Sequence, residues 1–423
     1  MKKFLFLLLL VLISSFGNAL TGFTLGIWTL NHTTSTLSYA LISFSAIAPQ
    51  ILLSPFIGSF IDRWDRKITI ILGQAIAGVG TLMLILLVDN DLLSDWSIIL
   101  IVLVKSICNG FITQAYYVST KFLVPKKLAR KAKGIEQIGF AIVRILAPIL
   151  APIMLAIISL KGLLYIDLLT YFITVFVFLF FNFGESREEI KRVNLFKDST
   201  IVFSYLKSEK GLVRILGYYF ITNLPLGMAS VMIAPLVLDF SNEITLSIVM
   251  SIGGIGLLSG GLFASFYKGI KNPVAAVFNL NIFIGLVLFS CVFLYINSVL
   301  LSIAAFVLAF SITIINVLIN SFWHVIVPHE LDGRVMGYRT IIMGSAILLS
   351  YLLGGIIVDF LILPIVKYFD FKHLTNSLPN KTIAIMFLFS LLGILNTLVS
   401  IKYRKIKNIE KLDKLYIDSL ESI

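Results

Sequence analysis

The chemistry in this sequence lies in a few charges set into an apolar chain. Between two apolar runs stands Gly58-Ser-Phe-Ile-Asp62-Arg63-Trp-Asp-Arg66-Lys67. An acid beside three cations at a membrane edge is able to dock onto a neighbouring helix end and to separate from it when helices rock. Gly58 lets two helices approach closely. The stretch therefore describes a gate latch; cations that only set topology would need neither Gly58 nor Asp62. Deeper in, Lys105 and Arg144 each lie about ten residues into an apolar run, near the depth of a bilayer midplane. A charge there costs roughly 2.5 to 3.5 kcal/mol on insertion scales, so it requires a wet cavity, a carboxylate or an anionic substrate group. Glu136 precedes Arg144 by two turns on nearly the same helix face. Asp167 is placed to pair with Lys105 or Arg144. Buried ion pairs that hold a bundle together and a direct role in a substrate cavity both fit these four residues.

Other polar groups are sparser. Ser14, Ser15, Gly17 and Asn18 interrupt the first apolar run at mid-depth, as suits a face turned to a cavity. Asn316, Asn320 and His324 form one polar stripe at four-residue spacing. With 4 histidines in the chain, no metal site is indicated. Cys108 and Cys291 fall inside apolar runs with no metal spacing and read as packing residues. No nucleotide loop, nucleophile motif or paired metal ligands occur, so neither an enzyme nor a cofactor is expected.

The elements that must position these residues are membrane helices. At 58% hydrophobic and 13% charged residues, with mean hydropathy +1.00, the chain has lipid as its main solvent. The net charge of +12 sits in short segments between apolar runs, which marks topology and not a nucleic-acid surface. Apolar runs predict six spans at 4–30, 37–60, 67–88, 95–118, 132–158 and 162–181. A second six lie at 212–238, 244–267, 273–296, 299–322, 335–363 and 382–402. The first run resembles a secretory signal but continues too far for one. The expected organisation is a six-helix bundle over 1–183, a cytoplasmic linker over 184–211 with an amphipathic segment at 196–206, a second bundle over 212–402, and a polar, mobile tail over 403–423. The longest external loop is expected at 364–381. Of the 34 Lys and Arg residues, this layout leaves Lys161, Lys367, Lys372 and Lys381 outside and Lys105 and Arg144 within spans. The remainder lies on the side of both termini, which places the termini in the cytoplasm of the cell.

The two halves are copies. Pro125-x-x-Leu128-x-x-Lys131-x-x-Gly134 recurs as Pro328-x-x-Leu331-x-x-Arg334-x-x-Gly337, displaced by 203 residues. The same shift carries Gly58 onto Gly261, and Ala151-Pro152 onto Gly354-Gly355. Two six-helix halves in parallel repeat form an all-α membrane protein with an axis along the membrane normal.

On these residues the chain resembles the major facilitator superfamily. The stretch Gly58 to Lys67 is similar to the superfamily's signature loop between helices 2 and 3, with Asp65 standing where glycine is usual. Ala147-Pro148-x-x-Ala151-Pro152, following Gly139, is similar to the antiporter motif of drug exporters, with alanines for glycines; it reads equally as a plain proline kink at Pro148 and Pro152. The loops Phe122 to Gly134 and Val327 to Gly337 resemble those of bacterial exporters grouped with macrolide efflux proteins and the enterobactin exporter. The resemblance implies a fold of twelve helices in two pseudo-symmetric bundles, acting as a monomer in the bilayer. It also implies export of an amphipathic small molecule, such as a macrolide, by alternating access against protons. Proton exchange needs a carboxylate for which proton and substrate compete; Asp167 and Glu136 are the candidates, and Asp359 a weaker third. Asp62 is expected to engage the start of helix 11 around Arg334 or Gly337. Asn18, Lys105, Arg144, Asn316 and Asn320 complete the candidate substrate or proton pathway. The alternative is a housekeeping carrier of a lysolipid, siderophore or other anionic metabolite, received by Arg144 and Lys105.

Overall fold

Long apolar segments with no water along their flanks must satisfy every backbone group internally, and among the described residues every regular element is a helix. The computed structural model describes all residues except 1, 34, 62–63, 125–127, 181–204, 206–209, 267–271, 292–296, 329–330, 370–377, 407–411 and 419–423. In chain order the helices are α1 (Lys2–Thr33), α2 (Thr36–Leu52), α3 (Ser54–Ile61), α4 (Arg66–Asp89), α5 (Asp95–Leu123) and α6 (Ala129–Phe180). There follow α7 (Lys210–Phe240), α8 (Glu243–Phe266), α9 (Pro273–Ser290), α10 (Ser298–Ile326) and α11 (Asp332–Ile356). A π-helical stretch, Ile357–Ile362, runs on into α12 (Leu363–Phe369), and α13 (Asn380–Arg404) is the last long helix.

The 52 residues of α6 would run about 78 Å if straight, against a hydrocarbon core about 30 Å thick. The helix is broken at Ser159, where φ is 62° and ψ 170°, a left-handed backbone that L residues seldom adopt. Packing along α1 shows the reversal. Leu12 faces Gly139 and Leu20 packs on Ala147 and Ala151, so the first arm ascends with α1. Leu25 packs with Leu160 and Leu164, Gly17 faces Asp167 and Thr170, and Phe4 and Leu7 cluster with Phe178, so the second arm descends. Pro148 and Pro152 keep helical dihedrals; the break is at Ser159. With α6 counted twice, and α2 and α3 as one interrupted span, twelve crossings result.

The chain divides into two compact units, Met1–Lys191 and Arg192–Ile423. In the first, α1 packs on α6, and α4 and α2 pack on α5; in the second, α7 packs on α11, and α9 and α8 pack on α10. The starts of α5 and α10 are 203 residues apart, as are the starts of α6 and α11. The internal repeat of the sequence is thus a repeat of helix order and packing.

Two features differ from expectation. The helix through 335–363 continues past Pro364 to Phe369, which shortens the loop that follows. The tail is not wholly mobile: residues 412–418 are helical, with Leu412 and Tyr416 buried one turn apart. The Tyr416 ring stacks on Phe322, and its hydroxyl lies 3.2 Å from Ser321 Oγ. Asp413 accepts the backbone N–H groups of Val274 (2.8 Å) and Ala275 (3.0 Å). It thereby caps α9, whose own N-cap residue Asn272 makes no side-chain bond. Asp239 does the same for α13, accepting from the Thr382 N–H and hydroxyl. Of the expected amphipathic segment at 196–206, only Tyr205 falls among the described residues; its hydroxyl donates to the Ile326 carbonyl (3.3 Å).

Candidate coupling site

Lys105 lies ten residues beyond the start of α5, about 15 Å along its axis and so half-way through the hydrocarbon. A lone ammonium at that depth is too costly to leave unpaired. It is paired. Lys105 Nζ donates to Asp167 Oδ2 on the second arm of α6 and to Thr81 Oγ1 on α4, each at 2.7 Å. The Thr81 hydroxyl in turn donates to Asp167 Oδ2 (2.8 Å). The side chains of Lys105 and Asp167 are 3% and 0% exposed, so three helices close a desolvated triad.

The surroundings of the triad are tightly set. Tyr171, one turn beyond Asp167, lies under the Lys105 ammonium at 5.2 Å and donates its hydroxyl to Asn18 Oδ1 (3.1 Å). Gly17 brings α1 against the carboxylate: a side chain there would meet Thr170 Oγ1 at 2.7 Å and Asp167 Oδ1 at 3.0 Å. Asn18, Thr21, Ala46, Lys105 and Ser106 line a cavity of about 30 Å³. Ser14, expected on a cavity face, is instead buried and donates to Gln74 Oε1 on α4 (2.8 Å).

Of the two acids weighed for pairing, Asp167 joins Lys105 and does not join Arg144, which is exposed. Glu136 is buried elsewhere on α6. Of the residues expected to form a latch, Asp62 and Arg63 lie outside the described residues, as do the surroundings of Gly58 and Arg334; Gly58 itself is in α3 and Gly337 in α11. Lys67 donates to the Leu179 carbonyl (2.9 Å), satisfying the C-terminal end of α6 within its own unit, and Arg66 opens α4. Asp65, the departure from the signature loop, is the N-cap of α4 and accepts the Ile68 N–H (2.9 Å). Pro148 is half-buried and Pro152 buried, in the arm whose alanines pack on α1.

In the second unit Asn316 and Asn320 are exposed, and Asn320 Oδ1 accepts from Arg339 Nη2 (2.6 Å). Arg339 is 9% exposed and touches Met336 Sδ (3.3 Å); its Nε has no partner among the described residues. By the distribution of Lys and Arg along the chain, Arg339 falls among the cations on the side of both termini. Its position seven residues into α11 was the available signal of burial. Thr81 and Tyr171 carried no such signal, since a hydroxyl in an apolar run is ordinarily satisfied by its own helix.

Twelve crossings in two repeated units, with a buried ion pair at mid-span, are an architecture suited to membrane transport. The chain belongs to the Major Facilitator Superfamily, whose family profile matches residues 7–351. Among curated relatives it is similar to macrolide efflux protein A of Enterococcus faecalis, 26% identical over 262 residues, covering 58% of this chain and 78% of that protein. It is also similar to macrolide efflux protein A of Streptococcus pyogenes, 23% identical over 346 residues, covering 77% and 82%. A mutant of the nucleoside transporter NupG shares the fold with a TM-score of 0.71 at 16% identity, covering 94% of this chain and 100% of that one. A bacterial homologue of the human lysosomal transporter Spinster does so with a TM-score of 0.63 at 11% identity, covering 99% and 97%.

Proposed function

We propose that this transporter exports an amphipathic small molecule of the macrolide type from a bacterial cell, by alternating access and in exchange for protons. In this reading it is a monomer of the plasma membrane with both termini cytoplasmic. The observation that carries the reading is the Lys105–Asp167 pair. A carboxylate buried at mid-span and held by one ammonium changes the charge of its surroundings when it takes up a proton. Such a change biases a two-state bundle. The relatedness to two macrolide efflux proteins supports the class of cargo.

The test uses everted vesicles with an acidic lumen. Adding erythromycin should draw protons out of the lumen, and Asp167→Asn should abolish that movement. Erythromycin transport that persists without proton movement, or that stops on nucleotide depletion at constant proton gradient, rejects the reading.

A second reading, carriage of an anionic metabolite such as a lysolipid or siderophore, is favoured by Arg339. Lys105 is neutralised by Asp167, so it offers no net charge to an anion. Arg339 is a buried guanidinium that meets Asn320 and a thioether, with no carboxylate partner among the described residues. Under this reading Arg339→Gln abolishes transport of an anionic lysolipid and erythromycin is not moved at all.

A further inference from the structure

We propose that the cavity beside Lys105 holds water and that Lys105 relays a proton from that water to Asp167. The inference rests on the proton-exchange reading above and assigns its route.

An ammonium has three N–H donors. Two of those on Lys105 are taken by Thr81 Oγ1 and Asp167 Oδ2. Lys105 also lines the cavity, whereas Asp167 is fully buried and does not. The lysine nitrogen therefore stands between the cavity and the carboxylate. The cavity volume of about 30 Å³ has room for about two waters, each needing about 10 to 15 Å³ and two to four polar partners. Thr21 is one of the lining residues, and its Oγ1 is buried with no partner among the described residues. A buried hydroxyl left unbonded is costly, and a water bonded to it and to the third N–H of Lys105 removes that cost. Asn18 and Ser106 complete the polar wall.

The step consumes one proton, delivered as protonated water in the cavity, and needs no oxidant, reductant or other reactant. A Lys105 N–H bond breaks as the proton passes along the 2.7 Å bond to Asp167 Oδ2. The nitrogen lone pair then takes a proton from a protonated water in the cavity, leaving neutral water. Lysine ends as it began, the carboxylate has become a carboxylic acid, and one proton has been taken up. The ion pair is then lost, and Lys105 carries an uncompensated charge that favours the other conformation. Among the described residues the other titratable groups beside the pair are Tyr171, one turn beyond Asp167 on α6, and Cys108, one turn along α5.

The discriminating variant is Lys105→Arg, which keeps the charge and the pairing but does not deprotonate and so cannot relay. Full-length protein in proteoliposomes is assayed with radiolabelled erythromycin in two modes: uphill transport driven by a proton gradient, and exchange at equal pH, which needs no net proton movement. Lys105→Arg should lower uphill transport by about tenfold or more and lower exchange much less than uphill transport, the signature of failed coupling. Thr21→Val preserves volume while removing the hydroxyl, and should slow the substrate-induced proton transient several-fold. Lys105→Arg with wild-type uphill transport overturns the relay, since a merely structural cation would be satisfied by arginine. Should that variant fail to accumulate, Thr21→Val decides, and an unchanged proton transient overturns the water site. Failure of the wild-type protein to move protons with erythromycin would instead remove the proton-exchange reading itself, and the relay with it.

Discussion

At the scale of single residues, the molecule answers costs that its own sequence creates. A mid-span lysine is tolerated because one carboxylate and one hydroxyl meet it at 2.7 Å. Removing one partner of such a buried pair costs about 3 to 5 kcal/mol, because the other charge is left unpaired. Asp167→Asn should therefore lower the melting temperature in detergent as well as stop proton movement, and Asp167→Asn combined with Lys105→Met should recover stability without recovering transport. The Asp65 side chain shows a departure from a family pattern with a structural cause. It caps α4, so Asp65→Ala should cost about 1 kcal/mol, read as a lower melting temperature with transport retained.

At the scale of helices, close approach and borrowed caps do the positioning. Gly256 and Gly260 on α8, four residues apart, face the backbone of Phe306 and Phe310 on α10; a Cβ at Gly260 would lie 2.7 Å from the Phe310 carbonyl oxygen. Neither helix backbone is free to yield, so Gly260→Val should destabilise the second unit by about 1 to 3 kcal/mol, measured by thermal unfolding. Asp413, which caps α9 from the tail, has its carboxyl pushed above the usual aspartate range by burial, with its two backbone hydrogen bonds pulling the other way. A raised native value means that the docked state binds the proton more tightly than the undocked one. Docking of 412–418 is therefore firmest in acid and weakens as pH rises from the ordinary aspartate range through the raised value. Hydrogen exchange of that helix should accelerate across this window, and Asp413→Asn should flatten the dependence.

At the scale of the whole molecule, the duplicated helix order and packing are what the proposed alternating access would use, one half rocking against the other. The latch stretch belongs to this scale. Asp62→Asn should raise labelling of a cysteine introduced at the cytoplasmic mouth and lower erythromycin turnover, in a background where the two buried native cysteines, Cys108 and Cys291, are replaced. Unchanged labelling together with unchanged turnover would leave Asp62 without a gating role.

Hydropathy and spacing act along the chain, and they were sufficient to mark the spans and the copy at 203 residues; the superfamily came from the resemblance of the Gly58–Lys67 stretch to a known signature loop. Lipid imposes length and apolarity on each span separately, so these properties are written locally. The reversal inside α6 was legible for the same reason: an apolar stretch of that length has to turn back. Which cation takes Asp167 was not legible, although both candidates sit at similar depth. Neighbouring positions on a helix point about 100° apart, and only the packing of α4, α5 and α6 turns Lys105 inward while leaving Arg144 exposed. The caps supplied by Asp239 and Asp413, and the bond from Arg339 to Asn320, depend likewise on contacts between segments more than a hundred or about twenty residues apart. Sequence determined where the charges lie along the bilayer normal; tertiary structure alone decided which of them meet, because pairing is set by helix rotation and neighbour choice, which no single span encodes.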